Sequence, residues 1–99
     1  MDMEKFKSRE VKGDFTLEQN YPNPFNPTTT IRCSLPVPSK VTLTVFNALG
    51  KQVATLVAGN QEARYYEVRF DASGLSSGIY FYIIQAGKFV HTRNLILSK

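Results

Sequence analysis

A run of β-branched and aromatic residues near the end of the chain constrains this sequence most. The run is too short to span a membrane, and its residue types favour a β-strand over a helix. Strand alternation gives it two apolar faces, Ile79, Phe81 and Ile83 on one and Tyr80, Tyr82 and Ile84 on the other. An edge strand would leave one of these faces uncovered. The run therefore predicts a central strand, paired on both sides and packed against a second layer.

Length, charge and cysteine content further limit what the chain can fold into and bind. A chain of 99 residues accommodates one domain with one core. The formal net charge of +4 is scattered along the chain, which indicates solubility and no particular partner. The one cysteine, Cys33, excludes an internal disulfide, and its position between Ile31 and Leu35 on an alternating face predicts a buried residue. Residues 1–14 alternate acids and bases with few apolar groups, so we expect a flexible leader or linker before a domain spanning 15–99.

The segment from Tyr21 to Thr28 contains Pro22, Pro24 and Pro27 within a few residues. Each proline lacks an amide donor and disfavours helical geometry in the residue before it. Asparagine before proline favours a turn. We therefore expect an extended, turning segment in which Phe25 fills one end of the core.

Period-two alternation predicts further strands over residues 29–35, 41–46 and 65–70, and the predicted turns place two more over residues 52–57 and 89–97. Pro36 and Pro38 suggest that the first of these is an edge strand. The sequence from Asn47 to Gly50 matches a type I turn, and residues 58–61 are predicted to form the next one. With no helix to place, the pattern indicates an all-β, immunoglobulin-like β-sandwich of about seven antiparallel strands.

The link over residues 71–78 carries one apolar residue, Leu75, shortly before Tyr80. This arrangement is typical of the tyrosine corner of Greek-key sandwiches, in which the phenol bonds back to nearby backbone.

Catalytic and metal-binding chemistry is not indicated. The single histidine, His91, has no spaced nucleophile or acid, and one His with one Cys cannot fill a metal site. We therefore expect no enzymatic activity, no metal and no cofactor. A sugar-binding platform built from Tyr65, Tyr80 or Tyr82 stays open as an alternative, although aromatic residues are common in any sheet. Base stacking on the same aromatics is a more distant possibility, and we expect no nucleic-acid binding.

The motifs occur in a characteristic order. The Asn-Pro segment leads into a threonine-rich strand, and the residues that carry the comparison are Asn23, Pro24, Phe25, Asn26, Pro27, Leu49, Gly50, Leu75, Gly78 and Tyr80. Over residues 15–99 this order closely resembles the type A C-terminal sorting domain of the type IX secretion system, which is found on secreted proteins of Bacteroidetes and related bacteria.

The resemblance implies an immunoglobulin-like domain at the end of a larger exported cargo protein. Such cargo crosses the periplasm, is recognised by an outer-membrane translocon and its receptor, and reaches the cell surface or the medium. A sortase-like peptidase then usually removes the domain. The C-terminal strand carries much of the signal, which here maps onto Leu95, Ile96, Leu97 and Lys99. The alternative function is a carbohydrate-binding or structural accessory module of a secreted enzyme.

Overall fold

The computed structural model describes residues 13–99, so most of the predicted leader lies outside the described residues. The described part of the chain is all-β and contains no membrane-spanning helix. Its strands are β1 (Thr16–Leu17), β2 (Thr28–Leu35), β3 (Ser39–Asn47), β4 (Gln52–Gln61), β5 (Arg64–Asp71), β6 (Gly78–Ala86) and β7 (Phe89–Leu97). The predicted fold class and strand number are confirmed.

The strands form two antiparallel sheets. One has the order β1-β2-β5 and the other the order β4-β3-β6-β7. Strand β6 pairs with β3, where Leu43 lies opposite Ile84, and with β7, where Tyr80 lies opposite Leu95. The prediction that the apolar run forms a central strand is therefore confirmed.

The core consists of side chains that alternate inward along the strands. Tyr82, Ile84, Leu43 and Leu95 are fully shielded from solvent. Burying one large apolar side chain stabilises a fold by about 1.5–3 kcal/mol, so these inward positions supply most of the driving force for folding. Cys33 is 4% exposed and belongs to this core, as the alternation predicts.

The outer face of β6 differs from the prediction, because no second layer covers it within residues 13–99. Ile79 is 51% exposed, and Phe81 and Ile83 are only half-buried. A two-layer sandwich covers one face of each sheet, so Tyr80, Tyr82 and Ile84 are buried while their neighbours face outward. The four-stranded sheet therefore carries a partly apolar outer surface.

Two other expectations about the strands are wrong. Residues 58–61 do not turn; they extend β4, whose Gln61 lies opposite Ser39 of β3. Pairing with β3 overrides the turn preference of Gly59 and Asn60, and the chain changes sheets at 62–63 instead. Strand β2 is not an edge strand, since it lies between β1 and β5. Pro36 and Pro38 follow the end of β2 and therefore remove no hydrogen bond from its ladder.

Both predicted local motifs are present. The Tyr80 hydroxyl donates a 2.6 Å hydrogen bond to the Ser76 carbonyl, which forms the tyrosine corner, and Leu75 packs against the core. The turn after β3 closes through a 2.9 Å bond from the Gly50 amide to the Asn47 carbonyl. Gly50 has a φ of +85°, a value that favours glycine.

Candidate functional site

The C-terminal strand β7 lies at one edge of the four-stranded sheet, with β6 along its inner side. Of the residues that the sequence analysis assigns to recognition, Leu95 and Leu97 are 0% and 1% exposed. Ile96 points outward and is 38% exposed, and Lys99 is exposed. Of these four residues, Ile96 and Lys99 are thus accessible on the surface of the folded domain, whereas Leu95 and Leu97 anchor the strand in the core.

Residues 19–25, which we call the edge cover, lie along the outer edge of the C-terminal half of β7. Backbone groups of β7 that point away from β6 would otherwise form an open edge, which invites pairing with another strand. The edge cover occupies this edge with four hydrogen bonds: Gln19 Nε2 to Asn94 O at 2.7 Å, Ile96 N to Asn23 Oδ1 at 2.9 Å, Phe25 N to Ile96 O at 2.9 Å and Ser98 N to Phe25 O at 2.9 Å.

The composition of the edge cover explains how it does this without becoming a regular strand. Pro22 and Pro24 have no amide to donate, so they cannot continue a ladder. The peptide bonds before both prolines are cis. The Asn23 side chain and the Phe25 backbone supply the hydrogen-bonding groups that the prolines lack. The asparagine–proline alternation therefore suits a segment that follows a sheet edge by a few specific contacts.

Phe25 fixes the end of the edge cover in the core. Its side chain is 2% exposed, and its ring lies 6.2 Å from the ring of Phe70 on β5. The prediction that Phe25 fills one end of the core is confirmed. The same residue thus holds the edge cover to the core through its side chain and to β7 through its backbone.

The start of the edge cover is held by a buried polar cluster that the sequence analysis missed. The Tyr82 hydroxyl accepts a 2.7 Å bond from the Asn20 amide and donates a 2.8 Å bond to the Glu18 carbonyl. The Asn20 side chain, 2% exposed as a residue, donates to Thr29 Oγ1 at 3.0 Å and to the Pro22 carbonyl at 3.1 Å. Tyr82 therefore links β6 to the segment that enters the edge cover.

Replacing Tyr82 with phenylalanine should lower the free energy of unfolding by about 1–3 kcal/mol. The change removes the hydroxyl and leaves the Asn20 amide and the Glu18 carbonyl without this partner in a buried place. Urea denaturation followed by circular dichroism measures the loss. Tyr66→Phe is the matched control, because its hydroxyl bonds to the Glu62 carbonyl at an exposed position. An equal loss in both variants would contradict the structural role of Tyr82.

Burial also raises two pKa values in this region. It raises the pKa of the Tyr82 phenol to about 12 and that of the Cys33 thiol to about 11, from usual values of 10.0 and 9.0. Both groups are neutral when protonated, so the unfolded chain loses these protons at lower pH than the folded chain does. Their contribution to stability is complete below pH 9 and is lost as the pH rises to about 12.

We therefore expect the free energy of unfolding to fall between pH 9 and 12, by at most about 1.4 kcal/mol per pH unit for each group. Urea titrations at a series of pH values measure this slope. In Cys33→Ala the onset should move up toward pH 10, where only Tyr82 contributes. An unchanged onset in that variant would show that the thiol is not the group that titrates.

The last residue is bound to the link between β5 and β6. The Lys99 amide donates to Ser77 Oγ at 2.9 Å, and its Nζ donates to the Ser73 carbonyl at 2.6 Å. The pKa of the nearby Asp71 carboxyl is lowered, chiefly by hydrogen bonds from Ser73 and further by Arg69 and Lys99. The C-terminal half of β7 is therefore enclosed by β6, the edge cover and this link.

The remaining motif residues have structural places. Pro24 is exposed within the edge cover, and Asn26 is exposed just after it. Gly78 begins β6, and Leu49 is 93% exposed at the tip of the β3–β4 turn. His91 is exposed and stacks on Phe89 with ring centroids 6.0 Å apart. Within residues 13–99 no His, Cys, Asp and Glu side chains cluster in a way that could hold a metal ion.

Comparison with known proteins gives one family match. A family model described as "Secretion system C-terminal sorting domain" matches residues 19–98, from the start of the edge cover to the penultimate residue. None of the curated proteins matches the chain.

A solved structure of PorZ from Porphyromonas gingivalis, an essential bacterial surface component of the type-IX secretion system, is similar to 93% of this chain, with a TM-score of 0.58 and 17% identity. The chain spans 12% of that chain, and at this identity the similarity supports the fold alone. The family model covers most of the described residues, and the segments it spans include the edge cover and β7. The chain therefore belongs to the secretion system C-terminal sorting domain family, the sorting domains of the type IX secretion system.

Proposed function

We propose that this domain is a passive sorting signal that an outer-membrane translocon and its receptor recognise at β7, after the cargo has crossed the periplasm. Family membership makes it a C-terminal signal for type IX secretion, whose cargo reaches the cell surface or the medium. The observation that carries the proposal is the enclosure of β7 by residues 19–25, because it joins the two ends of the matched region into one surface.

Recognition by a receptor then acts on a folded surface. Ile96 and the exposed residues of the edge cover, including Tyr21 at 72% exposure, present side chains on either side of the β7 edge. Phe15 and Leu17 contact the N-terminal half of β7 through the Phe89 and Arg93 side chains. No backbone group within residues 13–99 bonds to the outer edge of this half, so we propose that a receptor strand pairs there. Leu95 and Leu97 contribute by holding the strand in place.

The proposal assigns no catalysis to the domain. His91 is exposed on β7 and stacked on an aromatic ring, and among the described residues it belongs to no cluster of His, Cys, Asp and Glu side chains that could hold a metal ion. The sugar-binding alternative is weakened as well, because Tyr80 and Tyr82 are 7% and 0% exposed and cannot offer their rings to a glycan. The transforming steps of secretion therefore belong to other proteins.

We further propose that a sortase-like peptidase cuts on the N-terminal side of Phe15, outside the sandwich. A protease needs an extended backbone that is free of sheet pairing, and the first sheet pairing within residues 13–99 is that of β1 at Thr16. Mass spectrometry of surface-released cargo tests this. A new C-terminus within residues 15–99 would contradict the proposal.

The function is tested by fusing the 99-residue chain to the C-terminus of a periplasmic reporter that carries a signal peptide. The host is a bacterium with a working type IX system, compared with the same strain lacking its translocon. We expect the reporter to become accessible to added protease only in the working strain. Retention in the periplasm of both strains, or equal exposure in both, would overturn the proposal.

A further inference from the structure

The outer face of the four-stranded sheet is apolar at one end. At the end that holds the C-terminus, Ile79 on β6 lies opposite Ile96 on β7, and Phe46 on β3 lies opposite Phe81 on β6. The β3–β4 turn, with Leu49 at its tip, projects from the same end. We call Phe46, Leu49, Ile79, Phe81 and Ile96 the end patch.

The end patch is more exposed than core packing explains. Leu49 is 93% exposed, Ile79 51% and Ile96 38%, while Phe46 and Phe81 are half-buried beside them. Single exposed apolar residues are ordinary on protein surfaces, but adjacent ones on one face mark an interaction site more often. Farther along the same face the outward residues are more mixed: Thr42, Thr44, Thr92 and Gln85 are polar, Ile83 is half-buried, and Val90 is a single exposed apolar residue.

The charge on this face has one sign. Strands β3, β4, β6 and β7 contain no Asp or Glu, and the turns that join β3 to β4 and β6 to β7 carry Lys51 and Lys88. Lys40 points outward from β3, next to the inward Val41. The carboxylates within residues 13–99 all lie outside the four-stranded sheet, at Asp14, Glu18, Glu62, Glu67 and Asp71.

We propose that this face lies along an anionic lipid surface. The end patch enters the headgroup region beside Lys51, and Lys40 and Lys88 meet the negative charge at the opposite end of the same face. Each lysine near an anionic bilayer contributes about 1 kcal/mol at moderate salt. A second copy of this chain is disfavoured because it would bring lysines against lysines. A protein partner that covers Leu49 and Ile79 is disfavoured, because interface hot spots are rich in Trp, Tyr and Arg; of the end patch, the receptor contact proposed above involves only Ile96, at its border.

The test is co-sedimentation of the 99-residue chain with vesicles of phosphatidylglycerol mixed with phosphatidylcholine and with vesicles of phosphatidylcholine alone. We expect binding to the anionic vesicles only, weakened when NaCl rises from about 0.05 to about 0.5 M. Equal binding to both vesicle types, no binding to either, or a stable dimer that buries the face would each overturn the proposal. The assay needs no secretion machinery, so its outcome is separate from that of the export test.

Matched variants locate the contact. Leu49→Ser with Ile79→Ser should weaken partitioning about tenfold, because both side chains lose apolar area that the proposal places in the bilayer. Val37→Ser is the control, since Val37 is 51% exposed, like Ile79, but lies in the β2–β3 link at the opposite end. If Val37→Ser weakened vesicle partitioning as much as the double variant does, the assignment of the lipid contact to the end patch would be overturned.

A second pair separates local from total charge. Lys51→Glu and Arg69→Glu change the net charge equally, but Arg69 lies on β5 in the other sheet. We expect Lys51→Glu to weaken partitioning at least about fivefold more than Arg69→Glu does. Equal effects would show that net charge alone attracts the protein, which would contradict binding through this face.

Discussion

A cargo protein that carries this domain without residues 96–99 is expected to remain in the periplasm, with surface display reduced to background. The deletion removes Leu97 from the core and the Ile96 and Ser98 groups that pair with the edge cover. It also removes Lys99, which binds the β5–β6 link. Protease accessibility on intact cells measures display. Normal display of the truncated fusion would contradict the assignment of the signal to β7.

A single exposed residue separates recognition from folding in this experiment. Ile96→Ser should lower the free energy of unfolding by no more than about 1 kcal/mol, because the side chain faces outward, yet it should lower display severalfold. Val37→Ser is the matched control, since Val37 is 51% exposed and lies in the link between β2 and β3, outside β7 and the edge cover. Equal display of the two variants would mean that Ile96 is not read.

Phe25→Ala is expected to lower the free energy of unfolding by about 3–5 kcal/mol, the largest single-residue effect on stability that we foresee. The substitution leaves a cavity beside Phe70 and frees the end of the edge cover from the core. Stabilities of natural domains are about 5–15 kcal/mol, so a large share of the total would be lost. Urea denaturation of the purified chain measures the change.

Tyr21→Ala is the control for this substitution. It removes a large aromatic side chain from the same segment, but Tyr21 is 72% exposed and its contacts are made by its backbone. We expect a change within about 0.5 kcal/mol. A loss as large as that of Phe25→Ala would show that the edge cover is held by general aromatic contacts, not by the buried Phe25.

Much of the fold follows from local patterns. Alternation locates β2, β3, β5 and β6, and the preceding turn locates β7, within a few residues of their observed bounds. The spacing from Leu75 to Tyr80 correctly predicts a tyrosine corner, because that motif is formed by residues four positions apart. Patterns of this kind succeed where the residues that bond are close in the sequence.

The contacts that define the candidate site join residues that are far apart in the sequence. Asn23 and Ile96 are 73 residues apart, and Asn20 and Tyr82 are 62 apart. The sequence shows that the Asn-Pro segment is extended, but not which edge it follows. It also shows that β6 has two apolar faces, but not that only the face with Tyr82 is covered. The predicted range of β4 ends too early, at residue 57, for the same reason. Only the pairing of β4 with β3 keeps Gly59 and Asn60 extended.

The central claim is that the segment proposed as the sorting signal is a strand enclosed by residues 19–25. Residue-resolved hydrogen exchange of the purified chain tests it most directly. The Ile96 and Ser98 amides should exchange slowly, with protection close to that of core amides of β6, and Asn23→Ala should reduce protection at Ile96 first. Exchange of both amides at the rate of an open edge, with the rest of the domain folded, would contradict the account.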